Sequence, residues 1–297
     1  MGACVALALL GGGEAARAEG PGVLAHHELT LMVVDPTPEQ VTGELTARQK
    51  QDLTDARALR KQKLAELAAS RINARLQAAG VKHGTARAQL QGRLKVTAHT
   101  ARSARWVEQV VMAPGRAALR PVLDHGELWA QLAGDLPKGV QLKYAGRGIK
   151  NATLWSQDAD ALKKFVDRLA IPQTTFTLHK QGSGWTALAL GEPIVTEQHI
   201  GAAALRSASS GAPYAQITLT AEGVKRLTRA PAEQVALALE LDGEVIEVLR
   251  VPPERRGASL TVTCPAWLGS ASAIRECTEL VAGRLASSMP IPLVRVR

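Results

Sequence analysis

From residue 44 to residue 79 the chain contains neither proline nor glycine, and that single stretch limits what it can fold into. It is rich in Ala, Leu, Arg, Lys and Gln, all good helix formers. Leu64, Leu67, Ala68, Ile72, Leu76 and Ala79 recur every three to four residues, so the second half predicts an amphipathic helix that stops at Gly80. The first half is more polar and is expected to project or to form a helix of its own. Such an apolar stripe needs a sheet to cover it, and short strand-like runs lie on both sides. ELTLMVVD at 28–35 ends at Pro36 and Pro38, and VKHGTARAQL and RLKVTA flank Gln91-Gly92. A second helix is expected at 101–112, with Trp106, Val107, Val110 and Val111 on its apolar side, before Pro114-Gly115 breaks it. RAALRPVL at 116–123 reads as a last strand. The order β-α-β-β-α-β over 28–123 predicts an α+β fold with a ferredoxin-like base, its helices on one face of an antiparallel sheet.

Beyond residue 123 the pattern changes. Residues 124–212 read as an irregular α+β connection, with Gly134, Pro137, Gly139, Gly146 and Gly148 marking loops. Within it a helix is expected at 158–169 and strands at 174–180 and 185–190 around Gly182-Ser183-Gly184. The loop SASSGAP sets a boundary near 212. Residues 213–297 predict a second α+β subdomain: a strand at 213–220, a helix at 221–230, strands at 233–241 and 244–251 joined by an Asp242-Gly243 turn, a strand at 259–264 and a helix at 271–286. Pro290 and Pro292 restrict the closing MPIPLVRV to an edge.

Charge is unevenly distributed. Lys and Arg outnumber Asp and Glu by 16 to 5 between residues 41 and 120, although the whole chain of 297 residues carries only +9. Arg57, Arg60, Lys61, Lys63, Arg71 and Arg75 form a candidate basic patch for an anionic partner, either nucleic acid or lipid headgroups. The aromatic content of 3% is low for a protein that stacks single-stranded bases. No apolar run reaches the roughly 18–20 residues that span a bilayer. ACVALALLGGG followed by Ala16-Arg17-Ala18 reads as a signal peptide over 1–18 that lacks a basic n-region, which implies a periplasmic or secreted protein. With a start codon upstream, Cys4 would instead be a lipoprotein cysteine. Export would remove chromosomal nucleic acid from the available partners. It would also leave an even pair, Cys264 and Cys277, either disulfide-bonded or two buried thiols.

Motifs of catalysis are absent. The sequence has no G-x-S-x-G elbow, no P-loop and no H-E-x-x-H. AGRGIK at 145–150 lacks the surrounding glycines of a dinucleotide site. His26 and His27 are neighbours on a strand, so they point to opposite faces and make a poor metal pair. Glu240, Asp242, Glu244 and Glu247 gather around a hairpin tip, where carboxylates are ordinarily solvated. The expectation is a binding protein that is not an enzyme, with no cofactor and no metal.

The C-terminal runs carry a family likeness. YAQITLTAEGVKRL with Glu222-Gly223, VALALELDGEVIEV with Leu241-Asp242-Gly243, ASLTVTC, and a close at Pro290-Ile291-Pro292-Leu293 resemble the head of the first periplasmic domain of SecD. Upstream, Arg71-Ile72-Asn73, Arg75-Leu76, Gly80-Val81 and Gly92 before Leu94-Lys95-Val96 resemble its base. The DLxGG segment of SecD is absent. With residues 1–18 read as a signal peptide, the resemblance implies a base at 19–123, a connection at 124–212 and a head at 213–297. It also implies a non-catalytic envelope protein that binds polypeptide segments or an envelope partner in or near protein export. Glu222, Gly223, Asp242, Gly243, Pro290 and Pro292 would be structural, and Leu293 and Val294 would form a peptide-binding edge beside a base–head cleft. The alternative reading is a binder of nucleic acid or anionic surfaces through residues 41–120.

Overall fold

The computed structural model describes residues 24–35, 46–144, 152–169, 171–231, 236–289 and 291–296. The proposed leader at 1–18, Gly146, Gly148 and Pro290 lie outside them. The first described elements are β1 (Ala25–Val33), α1 (Ala47–Ala78), β2 (Thr85–Ala88), β3 (Arg93–Thr100) and α2 (Ala104–Met112). α1 is one continuous helix of 32 residues, about 48 Å long at 1.5 Å per residue. It starts at a capping box, in which Thr46 Oγ1 accepts from Gln49 N at 3.3 Å and Gln49 Oε1 accepts from Thr46 N at 2.9 Å. Only its second half is buried. There Ala65, Ala68, Ile72 and Leu76 pack with Leu29, Leu31 and Val33 of β1 and Leu94, Val96 and Ala98 of β3. α2 adds Trp106, Val107, Val110 and Val111 to this core, the face its sequence predicts.

The last strand of this layer is not the expected one. Residues 117–121 do form a strand, β4 (Ala117–Pro121), but it leaves the layer. The place beside β1 belongs instead to β15 (Leu293–Arg295), so the sheet runs β15-β1-β3-β2, antiparallel throughout. The turn at Pro114-Gly115 sends β4 away, and its alternating Ala117 and Leu119 bury in a different core. β15 is an edge strand, the place expected for the closing segment.

β4 enters a sheet of order β13-β12-β4-β9, formed with β9 (Val195–Thr196), β12 (Ala236–Leu241) and β13 (Glu244–Arg250). A companion sheet, β10-β11-β14, comprises β10 (Ile200–Ser207), β11 (Pro213–Leu219) and β14 (Ser259–Val262). α5 (Ala221–Arg229) and α6 (Ala271–Leu285) complete this second body. β10 falls where the sequence suggested a connection: its Ser207 pairs with Pro213, so the SASSGAP loop is a hairpin turn within one sheet. α6 serves two cores, giving Leu280 to the first and Val281, Ala282 and Leu285 to the second.

Between β4 and β9 the chain builds a third body rather than an irregular connection. It comprises α3 (Gly126–Gln131), β5 (Val140–Tyr144), β6 (Ala152–Ser156), α4 (Ala159–Val166), β7 (Thr175–Gln181) and β8 (Gly184–Leu190), with sheet order β5-β6-β8-β7. Its core holds Trp129, Leu154, Leu162 and Val166. Leu188 and Leu190 of β8 meet Ala238 and Val245 of the second body. At the same junction His179 Nδ1 lies 3.2 Å from Val245 O, and burial lowers its pKa below the usual 6.5. Below pH 6.5 the unfolded chain therefore takes up a proton that folded His179 resists, and stability is lost as pH falls. Glu244 and Glu247 oppose this. Burial raises both carboxyls, so their contribution favours acid. Comparing denaturant midpoints of wild type and His179→Gln from pH 7 to pH 5 isolates the histidine. The variant should gain on wild type as the pH drops.

Candidate functional site

The two chain passages between the first and second bodies cross at a buried arginine. Arg75 is fully buried on α1. Its guanidinium donates to Ser287 O at 2.7 Å, Val110 O at 3.1 Å, Val111 O at 3.3 Å and Pro114 O at 2.9 Å, and also to Ala113 O. It thereby satisfies the carbonyls that end α2, which no helical N–H can reach. Desolvation lowers its pKa to about 10, so it stays charged at neutral pH. Beside it Arg284 of α6 is ion-paired with Asp242, whose other oxygen accepts from Arg116 N at 2.8 Å. Gly115 sits between them at φ +69, and a Cβ there would lie 2.6 Å from Arg284 O.

The basic patch is therefore smaller than the sequence implied. Arg75 is a core residue, because it shares the packed face of α1 with Ile72 and Leu76. Arg71 is half-buried and donates to Ser288 O. Arg57, Arg60, Lys61 and Lys63 are exposed, with Arg60 3.4 Å from Asp35.

The hairpin carboxylates also differ from solvated tips. Asp242 is paired as above, Glu240 lies 3.3 Å from Arg120 Nη1, and Glu247 accepts from Thr263 N at 2.7 Å. Asp242 and Gly243 both have positive φ, 55° and 86°, which the tight turn requires. Gly223, in the first turn of α5, allows a close approach: a Cβ there would lie 2.6 Å from His199 O. Its neighbour Glu222 pairs with Arg226 at 3.3 Å. Cys264 and Cys277 are joined by a disulfide, with Cα atoms 6.0 Å apart.

Among the described residues, clefts open between the bodies. The first, about 440 Å³, opens between Gly80 and Val81 after α1, Arg102, the β10–β11 turn at Gly211, and the start of α6 at Ser272. Ion pairs line it. Glu279 holds Arg102 at 2.8 Å and Arg275 at 3.1 Å, and Arg102 also lies 3.7 Å from Glu276. The sequence reading placed apolar residues here next to the β15 edge, but the lining is half polar and includes neither Leu293 nor Val294. The second cleft, about 510 Å³, lies between the second and third bodies near His125, Pro172 and Pro193. His125 Nε2 is buried without a hydrogen-bond partner among the described residues.

The free edge of β15 is defined by its hydrogen bonds. Val34 N donates to Pro292 O and Val296 N donates to Thr30 O, at 3.0 and 2.9 Å. Residues 292, 294 and 296 thus point their backbone groups at β1. Leu293 and Arg295 point theirs outward. Pro292 lacks an N–H, but that position faces β1, so the proline removes no donor from the outward side. Val294 is exposed opposite Met32 on the open sheet face.

Among the described residues no helix is long and apolar enough to cross a membrane, and no three His, Cys, Asp or Glu side chains converge to hold a metal. No family model and no curated protein matches the chain. Solved structures similar to it include three of SecDF. SecDF in its super-membrane-facing form shares 16% identity, covering 95% of this chain and 32% of that one, at a TM-score of 0.44. A structure of the membrane component SecDF that enhances protein export shares 16%, covering 91% and 98%, at 0.40. SecDF from Thermus thermophilus, a translocon-associated membrane protein, shares 18%, covering 92% and 30%, at 0.30. The chain spans about a third of the first and third of these.

Proposed function

We propose that this is a SecD-like, non-catalytic protein of the cell envelope that binds extended polypeptide in or near protein export. The supporting observation is the edge of β15. Two outward residues, Leu293 and Arg295, offer backbone N–H and C=O groups that have no partner among the described residues, beside an exposed apolar pair, Val294 and Met32. An extended peptide can add there as a further strand. The residues that carry the SecD likeness fit this reading as scaffold, since Gly223, Asp242 and Gly243 each occupy a position of close approach or positive φ. A basic binder of nucleic acid is less well supported, because Arg75 is internal and Arg71 is turned to a backbone carbonyl.

Leu293→Pro tests the edge. It removes one outward donor and leaves the bonds to β1 intact. Loss of a hydrogen bond worth about 1 kcal/mol predicts a roughly fivefold weaker affinity for an alternating Val/Thr octapeptide, read by fluorescence anisotropy. Val294→Ala should weaken it further by trimming the apolar contact. Unchanged affinity in both variants would remove the edge from consideration.

A further inference from the structure

The open face of the first sheet carries an imidazole pair that the polypeptide-binding reading does not use. His26 of β1 lies directly opposite His99 of β3. The nitrogens His26 Nδ1 and His99 Nε2 are 3.1 Å apart, and the ring centroids are 4.6 Å apart with planes inclined at 55°. Even-numbered residues of β1 direct their backbone groups toward β15, so 26 and 99 form a non-hydrogen-bonded pair across β1 and β3. Such pairs bring side chains closest together. His27 does point to the other face, where its Nε2 lies 2.8 Å from Arg102 O. The partner of His26 was therefore never its sequence neighbour.

Two imidazole nitrogens at this separation match a metal bite. With metal–nitrogen distances of about 2.05 Å, a 3.1 Å separation subtends about 98° at the ion, between the square-planar and tetrahedral angles. Glu28 Oε2 lies 3.9 Å from His26 Nε2, on the ring edge away from the Nδ1 that faces His99. The other Glu28 oxygen is fixed by Lys95 Nζ at 3.0 Å, and Thr97 stands across from Glu28 in the register. Both rings are exposed, so a hydrated ion has access.

We infer that His26 and His99 form a two-imidazole clamp for a divalent transition-metal ion, with water in the remaining positions and Cu²⁺ held most tightly. Binding replaces the shared proton between the rings. The Nε2 proton of His99 passes through solvent to its own Nδ1, so neutral imidazoles bind without a change of oxidation state. The bound ion would tie β1 to β3 across the face that lacks helices.

The test is calorimetric titration of the full chain with CuCl₂ at pH 7.5 in a non-coordinating buffer. One ion per chain at micromolar affinity is expected. His26→Gln and His99→Gln should each weaken binding at least tenfold, and His83→Gln, at an exposed and unrelated histidine, should not. Binding that is unaltered in His99→Gln, or weaker than millimolar in wild type, overturns the clamp. Electron paramagnetic resonance of the wild-type Cu²⁺ complex gives a check that needs no variant. Hyperfine structure from two imidazole nitrogens is expected, and a spectrum from one or none would refute the site. These results are independent of peptide affinity at β15, so failure here leaves the polypeptide-binding reading standing.

Discussion

Replacing Arg75 with methionine is expected to cost about 3–5 kcal/mol of folding stability. Methionine fills much of the same volume, so the loss measures hydrogen bonding rather than a cavity. The five carbonyls that Arg75 serves come from two chain passages, residues 110–114 and Ser287. Buried acceptors left without donors cost about 1–3 kcal/mol each, and some will recover a water. Lysine restores the charge but not the planar fork, so Arg75→Lys should recover less than half of the loss. Among the described residues no carboxylate is ion-paired with the guanidinium. Asp242, whose field favours its charge, is bonded to Arg284. The charge is held by carbonyl dipoles, and only a residue with donors in several directions can use them. Urea melts of the two variants decide the matter. A loss below 1 kcal/mol in Arg75→Met would show that the crossing is held by apolar packing of α6 against α1 and α2 instead. At Gly283 of α6 a Cβ would already lie 3.0 Å from Ala79 Cβ.

What could be read from the sequence follows the range of the forces involved. Elements set by local chemistry were legible: the second half of α1 ending before Gly80, the apolar side of α2, the β7–β8 hairpin, and the Asp242-Gly243 turn with its flanking strands. Each depends on residues within a few positions of one another. Elements set by distant partners were not. β4 and β15 are both short and apolar, and composition cannot say which of them lies beside β1. That choice is made by where Pro114-Gly115 sends the chain and by which core receives Leu119. β10 was missed because GAAALR has little β propensity, and its pairing with β11 overrides that weakness. Arg75 looked like one more surface cation, since charge patterning does not distinguish a solvated guanidinium from one that caps carbonyls far along the chain. The same limit hid the His26–His99 pair. The signal was available only through register, once Leu29 and Leu31 were aligned with Val96 and Leu94.

Removing the Cys264–Cys277 disulfide is expected to lower stability by about 3 kcal/mol, the loop-closure value for a separation of 13 residues. The loss should be local before it is global. Cys264 is buried in the second core, and Cys277 marks the point on α6 where exposure gives way to burial. From Thr278 onward α6 is held by two cores. Before it, the helix relies on Ile274 packed against the second core, its Ser270 cap, the disulfide, the Trp106 bond to Glu276 O, and the ion pairs that Glu276 and Glu279 make with Arg102. The same first turns form one wall of the 440 Å³ cleft between the first and second bodies. A Cys264→Ala/Cys277→Ala variant should therefore lose amide protection at 271–277 while 280–285 stays protected, and it should widen that cleft without separating the cores. Reduction of the wild-type chain with a thiol should reproduce the effect. A cytosolic redox poise would leave the cleft wall loose, and an oxidising envelope would fix it, which joins the proposed location to the shape of the molecule. Equal denaturation midpoints with and without reductant, and unchanged protection at 271–277, would show that the other contacts alone hold this wall.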